Sequence, residues 1–271
     1  MKVSAYIPCF NNEETLNACI ESIKNQSIPV DELFVVDDGS SDASIKIIES
    51  KNIRVVKMKV NQGRGAVRNK AMEIARNEWV LSCDATLSLE KKFVEKATKH
   101  LQQKNLAAVY GKVITQNENN AVDRWKSKYL YRKGEFFGKI ESSTFLSGGA
   151  IVRRSAVMKI GNYNTLYKHS EDRDLGDRLI KSGFKILSDD DMRMSCHRRD
   201  SLFEVYERYW RWDTGSDISI YSYIKNVYYS LKEMVMKDLM ENDFQKAFIS
   251  LLQPHYSFFK SIIETKLKKR N

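Results

Sequence analysis

Between residues 3 and 114, short apolar runs alternate with amphipathic periodicity, and this alternation constrains the fold more than any other feature of the chain. Val3–Cys9, Glu32–Val36, Ile53–Met58, Trp79–Cys83 and Ala107–Ile114 read as strands. Between them, Leu16, Cys19, Ile20 and Ile23 share one helical face, as do Ile45 and Ile48, then Val67, Ala71 and Ile74, then Phe93, Ala97 and Leu101 within a helix expected over 90–103. Asn11 or Asn12 is placed to cap the first helix, and Ser40, Ser41 or Asp42 the second. Strand–helix–strand repetition implies an α/β fold with a mostly parallel central sheet flanked by helices.

The rhythm breaks between Thr115 and Thr144, where the polar run Gln116–Asn120 reads as a loop and Trp125–Phe137 matches no single periodicity. It resumes with a strand at Ala150–Val152, a helix over Asp174–Lys181 ended by Gly183, and strands near Lys185–Leu187 and Arg193–Cys196. From Ser201 the pattern is helical and aromatic, with Val227, Leu231, Val235 and Leu239 in register, and Tyr256, Phe259, Ile263 and Leu267 sharing another face; Pro254 is expected to separate two helices. The chain thus divides near residue 200 into an α/β domain, 1–200, with halves 1–114 and 145–200, and a C-terminal helical region, 201–271.

Composition excludes several classes. No run approaches the roughly 18 apolar residues of a membrane span, and the N-terminus enters a strand pattern with no secretory leader. The four cysteines lack metal-finger or paired spacing and read as small buried hydrophobes of a reducing compartment. The net charge of +10 favours a polyanionic partner such as phosphates or an anionic membrane surface over an acidic one; nucleic acid is not expected. The excess is marked at the end of the chain, where Lys266, Lys268, Lys269 and Arg270 cluster.

The chemistry-bearing residues lie at strand ends. Asp37-Asp38-Gly39 closes the second strand and Asp84 the fourth, at the carboxyl edge where open α/β sheets bind ligands. A carboxylate there accepts hydrogen bonds from a ribose or base, or binds a hard cation together with phosphates. Asn61–Asn69 carries Arg64 and Arg68 around two glycines, and guanidinium forks suit phosphate or a planar base edge. Glu171-Asp172 forms a third acidic cluster; taken alone, it reads more readily as acids at a helix N-terminus than as a site. His197 heads an arginine-rich segment, and Arg208 and Arg211, three apart, share a helix face.

In order along the chain, Ile7-Pro8-Cys9-Phe10-Asn11-Asn12-Glu13, Val36-Asp37-Asp38-Gly39-Ser40-Ser41-Asp42, Asn61–Asn69, Gly148-Gly149, Glu171-Asp172 and Arg208-Tyr209-Trp210-Arg211-Trp212 resemble the motifs of inverting family-2 glycosyltransferases with the GT-A fold, over roughly residues 3–212. The resemblance implies a Rossmann-like GT-A core with a C-terminal helical extension. It also implies a hexosyltransferase-type enzyme moving a sugar from a nucleotide-sugar donor, UDP-linked, to a hydroxyl acceptor in polysaccharide or lipid-linked glycan synthesis. Pro8, Phe10, Asn11 and Glu13 would line the base pocket, Asp37 or Asp38 would contact uracil or ribose, and Arg68 the base. Arg64, Asp84, Arg208 and Arg211 would face the diphosphate, Gly148, Gly149 and Trp212 the acceptor. Asp172 would be the catalytic base, oriented by Glu171. Asp84 matches the first acid of the family's DxD metal motif, but the motif here reads Asp84-Ala85-Thr86. The cofactor would be Mn²⁺ or Mg²⁺ held through Asp84, with His197 as a second ligand, or the enzyme would depend little on metal. A cytoplasmic protein, peripheral at the inner membrane face and able to form a homo-oligomer, is the expected setting. Two other readings compete: a nucleotidyltransferase, which calls for a glycine-rich basic loop where this chain has Pro8-Cys9-Phe10-Asn11, and a degenerate nucleotide-sugar-binding scaffold, favoured by Thr86.

Overall fold

The computed structural model describes residues 1–115, 118–142, 144–167, 170–214 and 219–268. Gln116 and Asn117 of the polar run, and Lys269 and Arg270 of the basic tail, lie outside them. In chain order the elements are β1 (Val3–Cys9), α1 (Leu16–Lys24), β2 (Glu32–Asp37), α2 (Ser44–Ser50), β3 (Arg54–Lys57), α3 (Arg64–Ile74), β4 (Trp79–Ser82), β5 (Leu87–Leu89), α4 (Phe93–Thr98), β6 (Leu106–Thr115), α5 (Ala121–Trp125), β7 (Lys139–Glu141), β8 (Ala150–Arg153), α6 (Arg154–Lys159), α7 (Glu171–Lys181), β9 (Lys185–Cys196), α8 (Leu202–Tyr209), α9 (Ile220–Tyr229), α10 (Met236–Met240) and α11 (Phe244–Lys268). Three π-helical stretches, Lys126–Leu130, Trp210–Thr214 and Ser230–Val235, continue α5, α8 and α9. The chain forms two compact units, residues 1–114 with 136–198, and residues 115–135 with 199–271.

The first unit is built on a nine-stranded sheet of order β3-β2-β1-β4-β8-β6-β9-β5, with β7 added on β9. β1 to β4 are parallel to their neighbours, with Pro8 opposite Val36 and Ala5 opposite Leu81. Beyond β4 the direction reverses: β8 runs antiparallel to β4 and β6, and β5 and β7 antiparallel to β9. The expectation of a mostly parallel sheet therefore holds for the first half alone, and the whole sheet is mixed. The first antiparallel strand, β8, follows the break in the strand–helix rhythm.

Alternation along β1 sorts the core into two layers. Val3, Ala5, Ile7 and Cys9 pack with α1 and α4 on one face; Tyr6 joins Phe34, Val36 and the apolar sides of α3, α6 and α7 on the other. Two predicted strands, 185–187 and 193–196, are one strand, β9. Two of the three aspartates between them are fixed inside the fold: Asp189 lies 2.6 Å from His100 Nε2, and Asp190 accepts the Phe137 N–H at 2.6 Å. The predicted cap of α1 is also corrected. Thr15 precedes the helix without a side-chain cap, while Asn12 accepts the Phe10 N–H and Asn11 the Ser41 N–H. Ala43 sits at the cap position of α2, and Asp42, one residue earlier, accepts the Ser44 N–H.

The second unit is helical. Trp125 is buried among Tyr129, Tyr206 and Tyr209, and its indole N–H reaches Ser250 Oγ at 2.9 Å. Ser250 in turn donates to the buried Asp238, which also takes Tyr129 O–H and pairs with Lys128 and Lys246. Pro254 does not divide two helices: it lies inside α11. A proline strips the carbonyl four residues back of its helical partner. Here that carbonyl belongs to Ser250, and the Ser230 hydroxyl donates to it at 2.5 Å.

Candidate active site

The carboxyl edge of the parallel strands is assembled from four loops. The β1–α1 turn is stitched to the β2–α2 turn: Ser40 Oγ accepts the Asn11 N–H, Asp42 accepts the Glu13 N–H, and Glu13 accepts the Ala43 N–H. Asn11 adopts a left-handed conformation at φ 51°, which asparagine tolerates. The side chains of Asn11 and Glu13, expected to line a base pocket, are thus spent on joining the two turns, while the Phe10 ring stands 44 % exposed above them. Pro8 lies within β1, half-buried beside Val36.

Asp37 and Asp38 are both buried. Asp37 accepts the Gly39 and Ser40 N–H groups at 3.1 Å through Oδ2, and its Oδ1 has no hydrogen-bond partner among the described residues. Asp38 accepts the Gln62 and Gly63 N–H groups at 2.8 Å each. It therefore holds the loop that leads into α3. Gly63 takes φ 89°, a region glycine enters without strain, and Arg64 follows, exposed, at the first position of α3.

Arg68 is the centre of the site and corrects an expectation. It does not reach outward toward a base. The side chain is 1 % exposed and its guanidinium is consumed by the protein: Nε donates to Glu171 at 2.9 Å, Nη1 to Ser82 at 2.6 Å and Tyr6 at 3.3 Å, and Nη2 to Asp84 at 2.7 Å. α3 delivers it under the sheet edge because Gly65 permits close approach: a Cβ there would meet Asn164 O at 2.3 Å and Tyr167 O at 2.5 Å. The carboxylates around Arg68 hold it charged, well above the ordinary guanidinium value against the opposing effect of burial.

Asp84 follows β4 and presents Oδ2 into space that exists only because residue 148 is glycine; a Cβ at Gly148 would sit 2.7 Å from that oxygen. Gly149 takes φ 117° and packs against Met194 where a side chain would stand. These two glycines therefore shape the Asp84 pocket. Glu171 and Asp172 open α7, which begins three residues earlier than periodicity suggested because its first turn is acidic rather than apolar. Glu171 is buried against Arg68. Asp172 is half-buried. Loss of solvent, and then the neighbouring Glu171 charge, push its pKa above the ordinary aspartate range, while Arg68 and the Arg173 N–H pull it down. Asp84, Arg68, Glu171 and Asp172 thus form one coupled cluster, in which a single buried cation serves three acids.

Other expected site residues lie elsewhere. His197 donates its backbone N–H to Thr86 O, and its Nε2 lies 2.8 Å from Ser88 Oγ; it stands beside the Asp84-Ala85-Thr86 turn, oriented by a serine. Among the described residues no three His, Cys, Asp or Glu side chains converge as a metal cluster. In the second unit, Arg208 pairs with Asp200 at 2.7 Å, donates to Tyr131 O–H and stacks on Trp212 at 4.9 Å. Arg211 donates to Glu207 O, and Trp212 is 53 % exposed. Tyr6, Ser82 and Tyr163 were missed by sequence reading. The first two read as ordinary strand residues, and the buried Tyr163 hydroxyl has no hydrogen-bond partner among the described residues. The four cysteines are free thiols.

The profile of glycosyl transferase family 2 matches residues 4–161, and the chain belongs to that family. A poly(ribitol-phosphate) beta-glucosyltransferase of Bacillus spizizenii is 38 % identical over 93 residues, which cover 31 % of this chain and 15 % of that protein. Among solved structures, S. aureus TarS in complex with UDP-GlcNAc superposes with a TM-score of 0.62 at 19 % identity, covering 97 % of this chain and 88 % of the other. A Pyrobaculum calidifontis mannosyltransferase in complex with GDP-Man and Mn²⁺ gives 0.61 at 14 % identity, covering 97 % and 73 %. At these identities the likeness establishes the fold, GT-A with added C-terminal helices. The match spans less than a sixth of the Bacillus relative's length.

Proposed function

We propose that this chain is an inverting glycosyltransferase that moves a hexosyl group from a UDP-sugar to a hydroxyl of a glycan or lipid-linked acceptor in polysaccharide synthesis. The observation that carries the reading is the Asp84–Arg68–Glu171–Asp172 cluster: a carboxylate at the sheet edge, joined through one buried guanidinium to Glu171, beside which Asp172 has a raised pKa. Asp172 is the base. As the acceptor oxygen bonds to the anomeric carbon, the bond from that carbon to the diphosphate breaks, and Asp172 takes the hydroxyl proton; a raised pKa makes it the stronger base. Glu171, paired with Arg68, raises the Asp172 pKa by charge repulsion. Phe10 offers a ring for the base, and Arg64 a cation for the diphosphate at the N-terminus of α3.

The donor set fits a divalent ion held chiefly by substrate. Asp84 supplies an oxygen in the pocket shaped by Gly148, Thr86 adds no charge, and a small hard cation commonly uses one or two carboxylates plus substrate phosphates. Bound there, Mg²⁺ or Mn²⁺ would neutralise charge on the departing diphosphate. The TarS complex with UDP-GlcNAc is the precedent for a UDP-linked donor. The test is calorimetric titration with UDP, GDP and their hexose conjugates, with and without Mn²⁺. Preferential UDP binding, weakened at least tenfold by Asp84→Asn only when Mn²⁺ is present, supports the reading. Absence of binding to every nucleotide overturns it, and with it the nucleotide-sugar-binding scaffold.

A further inference from the structure

We infer that the helical hairpin of the second unit, α9–α10 against α11, is a docking surface for an anionic phospholipid bilayer. α11 carries Phe244, Phe248, Leu251, Leu252, Phe259 and Ile263 on one face, between 36 % and 70 % exposed, and Lys266 continues the same stripe. α9 has no buried residue, and Ile220, Tyr221, Ile224 and Tyr228 are each more than 60 % exposed. The two helices meet along a seam where Tyr223 stacks on Phe258 at 4.4 Å and hydrogen-bonds His255 Nδ1 at 2.7 Å. In antiparallel helices of one hand, an equal angular step onward from the shared seam leads to the same side of the pair. At ~100° per residue, the α9 stripe lies onward from that seam by about a third of a turn and the α11 stripe by about a seventh, so both turn to the same side and form one face.

Charge identifies the occupant. Every carboxylate of residues 219–268 already has a cation: Glu233 pairs with Lys237, Asp238 with Lys128 and Lys246, Glu241 with the same two lysines, Asp243 with Arg124, and Glu264 with Lys260. Lys225, Lys232 and Lys266 have no carboxylate partner among the described residues, and Lys232 instead sits 6.0 Å from the Tyr228 ring. An apolar stripe of phenylalanine, leucine and tyrosine with uncompensated lysines beside it matches a helix lying in the headgroup plane of an anionic leaflet. A second copy of the same face would bring lysines against lysines. No described helix is long and apolar enough to cross a membrane, so the contact is peripheral.

The experiment is flotation of the full chain with neutral phosphatidylcholine vesicles and with vesicles containing phosphatidylglycerol. Two variants accompany it, Phe248→Ser/Phe259→Ser and Lys225→Gln/Lys232→Gln/Lys266→Gln. All five side chains are at least partly exposed, and an unchanged circular dichroism melt shows that the variants fold. Binding is expected to the anionic vesicles, to fall on the order of a hundredfold in the lysine variant, at about fivefold per cation near the surface, and to be lost in the phenylalanine variant. Equal flotation with both vesicle types, or none with either, overturns the proposal. So does a dimer in light scattering that the Phe248→Ser/Phe259→Ser variant converts to monomer, since a second copy would then cover the face. UDP binding is unaffected by either variant, which separates this outcome from that of the catalytic reading.

Discussion

Replacing Arg68 by methionine tests the idea that one buried cation holds the site together. Arg68 and Glu171 are 1 % and 2 % exposed and 2.9 Å apart, and Asp84 shares the same guanidinium at 2.7 Å. Methionine preserves much of the volume but strands Glu171 as a buried charge. Breaking a buried pair by removing one partner costs about 3–5 kcal/mol. At roughly 2–4 °C per kcal/mol for a chain of this size, the melting temperature of Arg68→Met should fall by about 6–20 °C. Neutralising the stranded acid should recover most of that loss, so Arg68→Met/Glu171→Gln should melt well above Arg68→Met. Lysine should restore little, because three protons on one nitrogen cannot reach Glu171, Ser82, Tyr6 and Asp84 together. The assay is differential scanning calorimetry at pH 7 on all four proteins. A single variant melting within about 3 °C of wild type, or a double variant no better than the single, would refute the argument.

Other perturbations follow from the same geometry. The raised pKa of Asp172 means that the native protein binds more protons than the unfolded chain between the ordinary aspartate pKa and the raised one. Stability therefore falls as pH rises through that window, and ionised Asp172 destabilises the fold at pH 7. Asp172→Asn should accordingly melt no lower than wild type at pH 7 while losing about 10²–10⁴-fold in kcat; a marked drop in melting temperature would contradict this. Glu171→Gln removes a charge that raises Asp172, so the acid limb of the pH–rate profile should move to lower pH, and an upward move would count against the coupling. Gly148→Ala places a carbon 2.7 Å from Asp84 Oδ2 and should lower kcat/KM about a hundredfold with donor, leaving the melt within a few degrees. Asp238→Ala, in the second unit, leaves the Tyr129 and Ser250 hydroxyls without their buried acceptor and should cost about 1–3 kcal/mol by urea unfolding without changing UDP affinity.

Local pattern carried the first half of the fold because each strand and helix there is read from its own residues. β1 to β4 alternate with amphipathic helices, and the strand-end acids Asp37, Asp38 and Asp84 stand at the edge where position along the chain put them. What local pattern did not carry depends on partners distant in sequence. Arg68 looks like a surface cation on a helix, and only Glu171, 103 residues away, makes it a buried hub. Asp38 looks like a ligand, yet two backbone N–H groups of the α3 loop occupy it. The run Ser188-Asp189-Asp190-Asp191 has the composition of a turn, and His100 and Phe137 hold it extended in β9. Pro254 is a helix breaker by composition and is tolerated because Ser230 donates to the carbonyl it leaves behind, that of Ser250, 20 residues from Ser230. The glycine pair at 148–149 was legible as a motif through family resemblance; its physical reason, room for Asp84 and Met194, required the third dimension.

The most direct test of the central claim is the rate of UDP release from UDP-hexoses, offered with a panel of oligosaccharide acceptors, for wild type and Asp172→Asn side by side, with UDP affinity measured on both. The account predicts that one donor–acceptor pair accelerates UDP release by wild type, and that Asp172→Asn binds UDP equally well but loses at least a hundredfold of that rate. Acceptor-stimulated release at the wild-type rate by Asp172→Asn would contradict it, and Asp172 would then not be the base.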